Sequence, residues 1–279
     1  MSQSLYPPDR PQTIGEVLDT AFRIFRVSLV KCLPFGIAAT LIGQLPQIAS
    51  VLAPPSPEQE SSPQRWEWMT LYVVSVVLTT LVTSALMLRQ VAVVSGQPTS
   101  AKAELLKALR RLPAFFGALI LYILILAVAS LPAIYVLSLR SLPLLPVSLL
   151  LTLLPLYLSV MFWAFQAAVL LRDKGPIQGL QFSFWLMRGN FWRVAAILTV
   201  ALLVILAGYI VIAVLGGSIV ALGATDVAVG WAFTAVIVVV FGSLLAPLGT
   251  AFMVATFGDL QVRREGTDLE RRISDATAS

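Results

Sequence analysis

The residues of this chain that could do chemistry are its arginines and lysines, and three of the arginines stand at related positions. Arg26, Arg111 and Arg188 lie 85 and 77 residues apart. Each sits near the end of a stretch whose apolar residues recur at helical spacing, shortly before a long apolar run. Lys31 and Arg193 follow Arg26 and Arg188 at the same distance. Cationic groups so placed suit the phosphate of an anionic lipid headgroup. They suit equally a topological role, because positive charge collects on the cytoplasmic side of membrane proteins. A second group, Asp259, Arg263, Arg264 and Glu265, lies toward the other end of the chain, with Asp259 and Arg263 at i,i+4 spacing. It reads either as a solvated helical stub or as a docking site for a protein partner at the cytoplasmic face.

What the chain lacks is as informative. It has no histidine and one cysteine, Cys32. The commonest general base and metal ligand is therefore missing, and an intramolecular disulfide is impossible. No Asp, Glu, Lys or Arg falls inside the six long apolar runs, so no ionisable group at depth could serve as a base or carry protons. Catalytic residues, cofactors and metal sites are expected to be none. The polar side chains within the runs are Gln44, Gln47 and Gln166 and hydroxyls such as Thr79, Thr80, Thr83 and Ser84. They either line a polar path or hydrogen-bond between helices. Gly36 with Thr40, and Gly242 with Ala246 and Thr250, are small residues four apart, suited to close helix packing or to a hinge.

The elements that must position these groups follow from composition and periodicity. Of 279 residues 58% are hydrophobic and 12% charged, against roughly 25% charged in soluble domains. Burying that much apolar surface calls for a bilayer. The net charge of +5 has no soluble basic face on which to gather, so nucleic acid is not expected as a partner. The fold class is all-α: a polytopic membrane protein of six transmembrane helices, in three repeats of an amphipathic surface helix followed by a transmembrane hairpin.

After a polar, proline-rich leader, 1–12, expected to be disordered, the first repeat covers 13–98, with spans at 32–53 and 68–88. The second covers 99–174, with spans at 115–139 and 144–171. The third covers 175–258, with spans at 194–222 and 227–258, and a cytoplasmic tail occupies 259–279. Thr13 is the expected N-cap of the first surface helix, with Glu16 three residues on completing a capping box. Trp66 and Trp68 mark a membrane boundary, and Trp185 and Trp192 are expected as interfacial anchors. Pro46, Pro132 and Gly208 fall at matching depths in the first helix of each hairpin; Pro155 and Pro247 have no such correspondence. Of the 19 Lys and Arg, 17 fall on one side of this arrangement and only Arg65 and Arg140 on the other. Both termini and the three surface helices are therefore expected in the cytoplasm.

Three stretches, TIGEVLDTAFRIFR at 13–26, GPIQGLQFSFWLMRGNFWRV at 175–194 and GDLQVRREGTDLE at 258–270, carry a resemblance. The chain resembles a bacterial six-helix family related to the membrane domain of glycerophosphoryl diester phosphodiesterase, over nearly its whole length. Where that family has paired tyrosines before the Asp-Leu of the tail, this chain has Thr256, Phe257 and Gly258 before Asp259. The resemblance implies a bacterial inner-membrane module. It does not carry over the enzymatic name. The catalytic barrel that accompanies the domain in full-length phosphodiesterases uses histidines and acidic metal ligands, and it is expected to be missing here. The function expected is a non-enzymatic integral membrane module that organises or regulates a partner in membrane lipid or envelope metabolism. The alternative is a lipid or small-solute transporter or channel. The partners expected are the bilayer, anionic phospholipid and a protein at the cytoplasmic face.

Overall fold

A computed structural model describes residues 6–52, 65–139, 141–221 and 227–266. Residues 53–64, the first residues of the leader, Arg140, residues 222–226 and the tail beyond Gly266 lie outside the described residues. Among those described, the chain is helical with no strand. The helices are α1 (Ile14–Gly43), α2 (Leu45–Leu52), α3 (Arg65–Val94), α4 (Ala101–Ser138), α5 (Leu145–Phe162), α6 (Phe165–Leu171), α7 (Pro176–Met187), α8 (Phe191–Ala221) and α9 (Val227–Glu265). A single 3-10 turn, Leu142–Leu144, precedes α5. Six helical segments are long and apolar enough to cross a membrane: Ile14–Gly43, Trp66–Val94, Ala101–Ser138, Leu142–Leu171, Phe191–Leu215 and Thr234–Glu265. The protein is an all-α, multi-pass membrane protein.

Two of the three amphipathic stretches do not form helices of their own. The first runs into its apolar successor as α1, 30 residues long, and the second does the same as α4, 38 residues. At 1.5 Å per residue these are about 45 and 57 Å, well beyond the roughly 30 Å of a hydrocarbon core. No glycine or capping residue separates the amphipathic part from the apolar part, and Pro34 and Pro113 are accommodated within the helices. The third stretch is a separate helix, α7. Its end is built by Gly189, whose φ of +86° turns the chain where a side chain would be strained. The first helix opens as its sequence predicts. The Thr13 N–H donates to Glu16 Oε2 at 2.7 Å and the Glu16 N–H to Thr13 Oγ1 at 3.3 Å, a reciprocal capping box.

The described residues fall into two compact units. The first draws on Met1–Tyr6, Leu18–Leu109 and Thr199–Ala255. Its core is a close approach of α1 and α9. Proline at 247 has no N–H, so the Ser243 carbonyl loses its partner within α9. That oxygen lies against Gly36 of α1, where a methyl would collide with it. One turn along, a methyl on Gly242 would stand 2.7 Å from Thr40 Cγ2. The small residues therefore serve contact between backbones. Phe22 meets Phe252 edge-on at 5.4 Å between ring centres. Gln90 of α3, fully buried, donates to Ser28 Oγ at 3.2 Å and to the Pro247 carbonyl at 2.8 Å, tying three helices. This supplies a role for Pro247 that its position in the sequence does not reveal.

The second unit draws on Pro7–Val17, Arg110–Leu198 and Thr256–Ser279. Phe115, Ala118, Phe165, Val169 and Leu180 form its core, with Tyr122 and Phe162 packed against it. Helix α7 lies on α5 and α6: Ser183 Oγ donates to the Met161 carbonyl at 3.0 Å, and Gly179 leaves room for Val169. Leu180 and Met187 are buried, as the spacing of that stretch requires; Phe184 is half-buried against Phe162.

Candidate functional site

The most concentrated polar chemistry in the second unit is gathered around Asp259. This residue stands near the end of α9, where Arg263 and Arg264 occupy the last turn and suit the negative pole of the helix. Its side chain is fully buried. The carboxylate accepts the Gln12 backbone N–H at 2.7 Å, the Arg193 guanidinium at 3.1 Å and the Arg263 guanidinium at 3.1 Å. Arg193 lies in the first turn of α8, a place where the helix dipole disfavours a cation; the Asp259 carboxylate offsets this. Both guanidiniums also donate to the carbonyl oxygen of Gln12. One residue of the leader is therefore held at its N–H by the acid and at its C=O by the two bases.

Around this centre further charged groups find partners within the chain. Arg264 donates to the Arg188 carbonyl and its guanidinium lies 5.5 Å from the centre of the Trp185 ring. Arg172 pairs with Glu265. Arg111 binds Asp173 twice, its carboxylate at 2.6 Å and its carbonyl at 2.9 Å. That double hold falls on a residue with φ of +52°, in the left-handed region that Asp tolerates better than most. In the first unit Arg89 donates to Glu104 at 2.8 Å, both side chains nearly buried, and to the Lys31 carbonyl at 3.2 Å, with Phe35 beneath its guanidinium.

These placements change how the sequence candidates are grouped. Arg111 and Arg193 are occupied by acids of the chain, whereas Arg26, Lys31 and Arg188 are exposed. The three arginines that match by offset thus have three different surroundings. Arg26 belongs to the first unit, Arg111 and Arg188 to the second. Asp259, expected on a docking surface, is interior, and Arg263, Arg264 and Glu265 each have a partner within the chain. Gln44 and Gln47 belong to the first unit and Gln166 to the second. Sequence reasoning finds the Asp259–Arg263 pair through its i,i+4 spacing. It misses Gln12, Arg89, Glu104, Asp173 and Gln90, whose partners lie far along the chain or on backbone carbonyls. Among the described residues no group of three or more His, Cys, Asp or Glu side chains could hold a metal ion.

No family model, no curated protein and no solved structure matches the chain.

Proposed function

We propose that the protein is a non-enzymatic membrane module that organises or regulates a partner in membrane lipid or envelope metabolism, in a bacterial inner membrane with both termini cytoplasmic. The observation that carries this reading is the use made of charge. The acids and bases with the least access to solvent, Asp259 with Arg193 and Glu104 with Arg89, are tied to each other, so their chemistry is spent on holding helices and leader in place. The chain offers no histidine to act in their stead. The resemblance of 13–26, 175–194 and 258–270 to the membrane domain of glycerophosphoryl diester phosphodiesterase supports the lipid setting. The test is hydrolysis of glycerophosphodiesters by the purified chain, with and without divalent metal, together with identification of what co-purifies in mild detergent. Turnover that follows this chain through every purification step would refute the reading.

A small-solute path is the second reading, favoured by one observation. Along α3 the buried Thr79 Oγ1, Ser84 Oγ and Gln90 Oε1 have no hydrogen-bond partner among the described residues. Unpaired buried oxygens are costly, and water or a polar solute would satisfy them. Flux of a small polar solute into proteoliposomes, lost on replacing Ser84 with Ala and Gln90 with Met, would support this reading over the first.

A further inference from the structure

The pairing around Asp259 does not balance. Two guanidiniums, Arg193 and Arg263, meet one carboxylate, leaving one positive charge at a centre whose acid has no access to solvent. What the guanidiniums share besides the acid is a neutral oxygen, the Gln12 carbonyl. Guanidinium groups pair with anionic oxygen through charge as well as hydrogen bonds, and their planar fork matches phosphate. A phosphodiester carries one negative charge and would bring the centre to neutrality.

The surroundings fix the depth of the site. Trp192, next to Arg193, is 83% exposed, and Trp185, stacked with Arg264, is 42% exposed. Exposed tryptophans beside arginines are the signature of the headgroup layer. The described part of the second unit also carries nine Lys and Arg against five Asp and Glu, an excess of four positive charges drawing anions to it.

We propose that Arg193 and Arg263 form a seat for a phosphodiester oxygen, and that the leader peptide at Gln12 occupies this seat as an internal stand-in which a phospholipid headgroup displaces. Asp259 then positions the two guanidiniums, and the leader acts as a strap closed in the absence of ligand. The proposal stands apart from the preceding reading, since such a seat could serve a scaffold, a transporter or an enzyme.

The experiment uses the full chain purified in dodecyl maltoside, a detergent without phosphate. Dihexanoyl phosphatidylglycerol, inorganic phosphate and phosphate-free dioctanoylglycerol are added separately, and hydrogen exchange is followed in peptides covering residues 7–13. The result expected is faster exchange with phosphatidylglycerol, as the Gln12 N–H leaves Asp259, and no change with dioctanoylglycerol. Acceleration by inorganic phosphate as well would identify a general phosphate seat; acceleration by the lipid alone would identify a headgroup seat; both support the proposal. Unchanged exchange with either phosphate source would overturn it, as would equal acceleration by dioctanoylglycerol. In a second measurement the chain lacking residues 2–12 should bind phosphatidylglycerol about tenfold more tightly than the full chain, a factor corresponding to one charge-assisted hydrogen bond released from competition. That gain should vanish in the truncated chain carrying R193Q and R263Q. A gain that survives both substitutions would place the lipid elsewhere.

Discussion

Asp259 holds two guanidiniums and a peptide N–H with a side chain closed off from solvent, so its charge rather than its shape is what the site requires. Replacing it with Asn keeps the size and removes the charge, leaving Arg193 and Arg263 to the Gln12 carbonyl alone. Breaking a buried pair from one side costs about 3–5 kcal/mol. Because Arg193 and Arg263 keep some access to solvent, D259N is expected near the lower end, about 3 kcal/mol. R10Q removes a partner of Glu16 in an exposed pair and should cost under about 1 kcal/mol. Thermal unfolding of both variants in detergent reads the difference directly, and equal melting temperatures would show that Asp259 is not an interior tie. Cys32 offers a second measurement at this scale. It is the chain's one thiol and is fully buried, so maleimide should leave the folded protein unlabelled and modify it only after denaturation. Rapid labelling of the folded protein would contradict the burial.

Between elements, the decisive contact is α1 on α9. A methyl added at Gly36 would meet the Ser243 carbonyl oxygen and Pro247 Cδ, whereas one added at Gly15 would meet nothing within 4 Å. G36A should therefore destabilise by about 1–3 kcal/mol through overpacking. G15A, also helical, should stabilise slightly, by up to about 1 kcal/mol, from helix propensity. Chemical denaturation of the pair separates packing from propensity, and loss of stability in both would argue against the contact. Much of this level is legible in sequence, but only where the cause is local. Thr13 and Glu16 are three residues apart, and each needs only the backbone of the other, so the capping box can be read before any fold is known. The six apolar runs follow from composition in the same way. By contrast, the fusion of amphipathic and apolar stretches in α1 and α4 leaves no mark, because a helix continues wherever nothing stops it. Nor does the sequence show that Arg193 meets an acid 66 positions on, or that Gln12 meets the same acid 247 positions on. Such pairs depend on tertiary packing, and the matched places of Arg26, Arg111 and Arg188 in their repeats say nothing about which of them finds an acid.

At the scale of the whole molecule the question is orientation. With six candidate membrane-crossing segments, the sequence assigns both ends of the chain and 17 of the 19 Lys and Arg to one side. The proposed orientation makes that side cytoplasmic, because positive charge collects there. Reporter domains fused at Gly96 or after Ser279 should therefore behave as cytoplasmic, and fusions between Ala53 and Arg65 as exterior. An exterior signal at Gly96 would reverse the arrangement, and with it the side on which the Asp259 centre meets lipid.

The hold of Asp259 on Gln12 also sets an order of events in time. The leader leaves the ribosome before the acid that secures it, which is made 247 residues later. At 5–20 residues per second that interval is roughly 12–50 s. Throughout it the leader, and for its last 66 residues Arg193, must remain without the carboxylate that will join them. The centre is thus a closing step of biogenesis: until Asp259 is made, the Gln12 N–H and the Arg193 guanidinium have yet to meet the acid that joins them.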